Sequence, residues 1–198
     1  MTNPGSTGRA GATAFFTAAA GHLHRAGTAA GARHLVALSI VGIDRVPGFG
    51  YYEAKLRHEE AVLAGPVPAS VLRATQFHEF PAQILRRTRK GPVAPVPRLR
   101  VRPVAAATVG EALVALAGTG PVGSAGELAG PAEDDLVAMA RRLATRRGVR
   151  VAVVPVRAPG PSGRAMRDGA LLPSPGARIE GPTFSAWLEG EDATAVRL

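Results

Sequence analysis

Apolar residues along this chain fall into short runs with two different periods, and glycine or proline separates the runs. In "ATAFFTAAAGHLHRAGTAAG", residues 12–31, Phe15, Phe16, Ala19, Leu23 and Ala26 recur at steps of three or four. That spacing predicts a helix, with Gly31 as its stop. "HLVALSI", His34 to Ile40, is short and nearly all apolar, the pattern of a strand buried on both faces of a parallel sheet. "VPGFG" reads as a loop. "YYEAKLRHEEAVLAG", Tyr51 to Gly65, predicts a second helix, and "ASVLRAT", Ala69 to Thr75, a second buried strand. Helix, strand, helix, strand is the rhythm of a parallel α/β sheet.

The second half continues in the same manner. A helix is expected near 76–89, then a proline-rich link, "GPVAPVPR". "TVGEALVALAG" begins with Thr108 and Glu111 at capping-box spacing. "GSAGELAG" predicts a short strand. "PAEDDLVAMARRLATRRG" predicts a helix entered at Pro131 with acids at its start, arginines at its end and Gly148 as the stop. "VRVAVVPV", Val149 to Val156, predicts a strand, and residues 157–182, rich in Pro and Gly, predict loop. "TFSAWLEG" predicts a last short helix with Trp187 as a packing anchor.

Composition narrows the class. A length of 198 residues fits one domain, 1–198, and a hydrophobic content of 46% can fill a core. No apolar run reaches membrane-spanning length, and the N-terminus does not read as a secretory signal. Without cysteine there are no disulfides or thiolate metal sites, which fits a cytoplasmic setting. The net charge of +9 raises the question of a nucleic-acid partner. Only Lys55 and Lys90 are lysines; the other basic residues are arginines, scattered among many Ala, Gly and Pro, as a codon-composition bias would leave them. The densest clusters are "RRTRK" and "RRLATRR", and the second closes a predicted helix, where cations oppose the dipole's negative end. Aromatic residues are few, so nucleic-acid binding is not expected.

"GSTGRAG", Gly5 to Gly11, has the G-x-x-G-x-x-G spacing of a dinucleotide turn. Such a turn needs a strand before it, a helix after it and an acid about 20 residues on. Only "MTNP" precedes Gly5, and the first acid of the chain is Asp44. The run therefore reads as a surface loop.

The stronger chemical signal is downstream. Ser39 ends the first predicted strand, where ligands of open α/β sheets bind. Tyr51 and Lys55 follow, four apart and so on one helix face. A cation near a phenol favours the phenolate, and a tyrosine so tuned can exchange a proton with a hydroxyl or carbonyl. A serine hydroxyl can hold the substrate oxygen. The same residues also allow packing roles. Tyr52 competes with Tyr51, and Lys55 has Glu59 at i+4. His22, His24, His34, His58 and His78 show no zinc-site spacing, so no metal is expected.

"ARHLVALSIVGIDRVPGFGYYEAKLRHEEAV" followed by "ASVLRATQFHEF" resembles the NmrA-like, atypical branch of the short-chain dehydrogenase/reductase superfamily. "RVRPVAAATVGEALVALA", "GELAGPAEDDLVAMARRLATRRG" and "TFSAWLEG" resemble that family's C-terminal half. The resemblance implies an α/β fold with an incomplete Rossmann-type parallel sheet and flanking helices. Residues 1–90 would be its remaining core and 91–198 a small substrate-side α/β part. It implies a bound NAD(P) and a carbonyl or alcohol substrate. Ser39 would orient the substrate, Tyr51 would be the acid/base, and Lys55 would tune it and hold the nicotinamide ribose. Asn3 and Pro4 would border the cofactor groove; Arg73, Ala74, Thr75, Gln76 and Phe77 would line its nicotinamide end. The glycine turn would lie upstream of Met1, so the chain would be a truncated member, with cofactor binding unaided in question. Ala105 stands where relatives tend to carry an acid. A protein partner or homo-oligomer is also consistent with the branch, some of whose members are regulators rather than enzymes.

Overall fold

The computed structural model describes residues 8–190. Its elements are α1 (Arg9–Ala29), β1 (Leu35–Ile40), a 3-10 turn (Ile43–Arg45), α2 (Gly50–Leu63), β2 (Ala69–Ala74), α3 (Phe80–Thr88), β3 (Val93–Pro97) and β4 (Arg100–Val101). There follow α4 (Ala106–Gly118), β5 (Gly123–Ala129), β6 (Asp134–Asp135), α5 (Leu136–Arg146), β7 (Ala152–Val156), α6 (Gly160–Arg167), β8 (Arg178–Ile179) and α7 (Phe184–Glu189).

The main sheet runs β1-β2-β5-β8 and every pairing in it is parallel. β1 and β2 pair in register from Leu35 opposite Ala69 to Ile40 opposite Ala74. β2 is the buried strand of the pair. β1 is half-buried along most of its length because, among the described residues, no strand covers its outer edge. α1 and α2 lie side by side on one face; α4 packs on β1 and β2 through Val109 and Ala112. β5 takes a bulge at Gly126, whose φ of +78° suits glycine. Both β5 and β8 come from beyond residue 91, so the two halves of the chain interleave in this sheet.

A second unit stands on the two-stranded parallel sheet β3-β7. α3, α5 and α7 close over it, and Val96, Leu136, Met139, Leu143, Leu171 and Trp187 form its core. The expected packing role of Trp187 holds: it is 4% exposed.

The structure corrects several expectations. α1 begins within the glycine run, directly after Gly8, so Arg9 to Gly11 are helical rather than loop; residues 5–7 lie outside the described residues. The proline-rich link is strand β3. Ala94 and Val96 alternate into the core while Pro95 and Pro97 occupy a two-stranded sheet, where a missing N–H is tolerated. α4 starts at Ala106, ahead of Thr108, so Thr108 and Glu111 form no capping box. α5 starts later than Pro131. Asp135 caps it by accepting from the Ala138 N–H at 3.0 Å, while Asp134 and Asp135 pair antiparallel with β4. Residues 76–79 are not helical, and α6 and β8 lie inside the stretch expected to be loop. No helix among the described residues is long and apolar enough to cross a membrane.

Candidate functional site

The C-terminal ends of β1 and β2 gather most of the sequence-derived candidates. Ser39 is 3% exposed, and its Oγ has no hydrogen-bond partner among the described residues. Its register partner in β2 is Arg73. Beyond β2, Thr75 Oγ1 donates to the Arg102 carbonyl at 2.6 Å and Phe77 bridges to Val104. Both polar atoms of the Gln76 amide are buried without a partner among the described residues. Buried polar groups are ordinarily satisfied. An orphan hydroxyl on one strand end and an orphan amide beyond the next thus fit a polar ligand at this edge. A hydroxyl and a primary amide together offer both donors and acceptors to such a ligand, a set with which the carboxamide of a nicotinamide is compatible. Asn3 and Pro4 lie outside the described residues.

α2 carries the tyrosines and the lysine. Lys55 is buried, and its ammonium donates to the Leu38 carbonyl at 3.0 Å, one residue before Ser39. Burial pulls its pKa below the usual lysine range, and Glu59 opposes that shift. The structure therefore brings Lys55 to the Ser39 end of β1. The ammonium is not spent on Glu59, whose carboxylate binds Arg73 at both oxygens, 3.0 and 2.7 Å. Arg73 also donates to Asp44 at 3.1 Å. Its guanidinium is raised in pKa, first by the hydrogen bond to Glu59. Arg73 is thus committed to carboxylates in this structure.

Tyr51 is half-buried, with its ring edge-on to Phe16 at 5.9 Å. Burial pushes its phenol up from the ordinary range, opposite to the lowering expected from an aligned ammonium. The Lys55 ammonium donates to a backbone carbonyl. Tyr52 packs against Phe49 at 4.6 Å and against the core of the second unit; burial first, then Tyr51, pushes it up to about 12.

Two residues that sequence reasoning passed over join this cluster. The Phe16 ring of α1 lies 5.1 Å from the Lys55 ammonium and 5.1 Å from the His58 ring. His58 is pulled down to about 4 by burial and by Lys55, with Glu59 opposing. Their signal was present as apolar spacing in α1 and as a position one turn beyond Lys55, but neither spacing separates a site from a core. A cavity of 420 Å³ opens just past the 3-10 turn, lined by Arg45, Ala165, Asp168, Leu172 and Ser174. Arg45 fixes its rim by donating to Ala170, Ser174 and Leu172, and Glu127 accepts from the Ser174 N–H at 2.6 Å. A larger groove of 770 Å³ lies between the later turns of α1 and α2, at the other end of α2 from Tyr51.

No family model and no curated protein matches the chain. Solved structures do. The triphenylmethane reductase of Citrobacter sp. complexed with NADP(H) is 16% identical, with a TM-score of 0.58; 82% of this chain is covered, and the chain spans 65% of that protein's length. The NADPH-dependent quinone oxidoreductase QOR2 of Escherichia coli, complexed with NADPH, is 16% identical over 85% of this chain and 69% of its own, at 0.63. A short-chain dehydrogenase/reductase superfamily protein from Agrobacterium tumefaciens with bound NAD is 20% identical over 98% and 77%, at 0.59. In fold, the chain is an α/β protein with a partial Rossmann-type parallel sheet.

Proposed function

We propose that the chain is the catalytic part of an NAD(P)-dependent oxidoreductase of the NmrA-like branch, corresponding to the region after the glycine turn. The observation that carries this reading is the buried Lys55 ammonium beside Ser39, on the helix that also bears Tyr51. NAD(P), when bound, supplies the hydride acceptor or donor for an alcohol or carbonyl. Ser39 and Gln76 offer the unpaired polar groups that would hold the substrate oxygen and the carboxamide edge. Lys55 would hold the ribose hydroxyls on leaving Leu38. In the reductive direction Tyr51 would give its phenol proton to the carbonyl oxygen; burial raises its pKa and so works against that transfer, and a bound cofactor and substrate would have to offset it.

The direct test is a thermal-shift titration with the four nicotinamide forms, followed by turnover of a carbonyl panel. Ligand binding raises the melting point as RT ln(1 + [L]/Kd). Tyr51→Phe should leave that shift in place and lower turnover about 100- to 10,000-fold. Unchanged turnover would remove Tyr51 from the chemistry. A second reading, a non-catalytic nicotinamide sensor, draws support from the Tyr51 ring resting against Phe16. Cofactor binding with no turnover by any panel member would favour it; no binding at all would set both aside.

A further inference from the structure

The two arginine clusters that look scattered along the sequence meet in space. α3 ends at Thr88 and residues 89–92 return the chain to the start of β3. α5 ends at Arg146 and residues 147–151 return it to the start of β7. β3 and β7 are parallel neighbours, with Val93 opposite Ala152 and the Ala152 N–H on the Pro92 carbonyl at 2.7 Å. The C-terminal ends of both helices and the first residues of both strands therefore form one end of the second unit. Arg87, Arg89, Lys90, Arg146 and Arg150 are all exposed there. None of the five pairs with a carboxylate among the described residues. No Asp or Glu occurs from Phe80 to Gly110 or from Leu136 to Arg167, so neither stretch neutralises itself.

Helix dipoles account for only part of this arrangement. They favour cations in the last turn, where Arg87 and Arg146 sit, but the effect fades within that turn. Arg89, Lys90 and Arg150 stand beyond it, on the links. The patch is also remote from Ser39 and Gln76. α3 leaves the end of β2 and carries the chain about 13 Å away at 1.5 Å per residue, and β3 then runs back toward it.

We propose that this end of the second unit binds the phosphate backbone of a nucleic-acid duplex without reading sequence. Four of the five cations are arginine, whose fork matches phosphate oxygens in pairs. No Phe, Tyr or Trp occurs from Pro81 to Thr183, so the patch has no platform for stacking the bases of a single strand. Val93, at 38% exposed, is the large apolar side chain at this end with the greatest exposure, too little to anchor the patch in a lipid surface.

The test is fluorescence anisotropy of the full chain with a mixed-sequence 20-base-pair duplex at 50 and 200 mM salt. Five phosphate contacts predict a log–log salt slope near about −4.5, an affinity loss on the order of 500-fold across that range. The variant Arg87→Gln, Arg89→Gln, Lys90→Gln, Arg150→Gln should flatten the slope to about −1 and weaken binding at 50 mM salt by at least about 100-fold. A control with the same charge change, Arg25→Gln, Arg33→Gln, Arg98→Gln, Arg164→Gln, should bind within about threefold of the parent. Melting curves verify that both variants fold, and the double variant Lys90→Gln, Arg150→Gln serves if the fourfold one does not. Equal weakening by patch and control variants would overturn the proposal. So would binding to phosphatidylserine vesicles without binding to the duplex.

Discussion

The Lys55 ammonium donates to the Leu38 carbonyl at 3.0 Å, and that carbonyl faces the side of β1 away from β2, which no strand covers among the described residues. The Leu35 N–H reaches Pro68 and the Val41 N–H reaches Ala74, so the odd-numbered residues of β1 face β2 and Leu38 faces away. The lysine thus caps an acceptor that a further parallel strand would use. Replacing it by methionine removes a buried charge and keeps the stem. Lys55→Met should change stability by no more than about 1 kcal/mol, or raise it, because desolvating an ammonium costs as much as one such hydrogen bond returns. Lys55→Ala, which also empties the space beside Phe16, should cost about 2 kcal/mol or more. Urea unfolding of the two variants separates the charge from the packing.

Glu59 and Arg73 give the opposite case. Their two hydrogen bonds link α2 to β2, with the Glu59 side chain 11% exposed and that of Arg73 26%. Glu59→Gln should destabilise by about 2–3 kcal/mol, since it leaves a partly buried guanidinium with Asp44 as its remaining ion pair and Glu127 as a more distant charge. Denaturant midpoints measure the loss, and Arg73→Lys, which cannot reproduce the fork, should lose a comparable fraction.

What the sequence disclosed and withheld follows from the range of each signal. β1, β2 and α2 were legible because an all-apolar run or a repeated spacing is local. β3 was hidden because Pro95 and Pro97 break the usual strand vocabulary, and only pairing with β7, far along the chain, makes the segment a strand. α6 was hidden by its glycine and proline content. The i,i+4 spacing placed Tyr51 and Lys55 on one helix side but could not say that the ammonium would choose the Leu38 carbonyl. Glu59 was visible as a partner for Lys55 because both are on α2. Its actual partner, Arg73, sits on another element, and the ion pair exists only once the sheet forms.

Gly42 turns the chain between β1 and the 3-10 turn at φ +73°. A Cβ there would lie 1.9 Å from the Ala170 carbonyl oxygen, a backbone atom that cannot step aside. Gly42→Ala should therefore cost about 3 kcal/mol or more, adding left-handed strain to the collision. Because Arg45 holds the same loop at Ala170, Arg45→Ala should relieve part of that cost. A double-mutant cycle by chemical unfolding measures the coupling.

The chain has two tyrosines, so its phenol titration is read without interference from others. Burial holds both above the ordinary value, with Tyr52 at about 12. At pH 10 less than half of the phenolate absorbance near 295 nm should have developed, and Tyr51→Phe should leave a single step close to the higher value. Half-development at or below pH 10 would mean that a cation reaches one of the phenols in solution.

His58 gives the fold an acid limit. Its pKa is pulled from 6.5 to about 4 in the folded state by burial and by the neighbouring Lys55. The unfolded chain thus binds the proton more readily, and stability is fully present above pH 6.5. It should fall as pH drops from 6.5 toward 4, by about 3 kcal/mol if the whole shift is realised. Glu59 and Arg73 belong to the same neighbourhood, and Glu59 opposes the shift, so Glu59→Gln should deepen the decline. His58→Gln, which keeps a polar side chain without the titration, should flatten the difference between pH 7 and pH 5. Urea midpoints at those two pH values decide it: an equal loss in parent and variant would show that His58 is not the group that titrates.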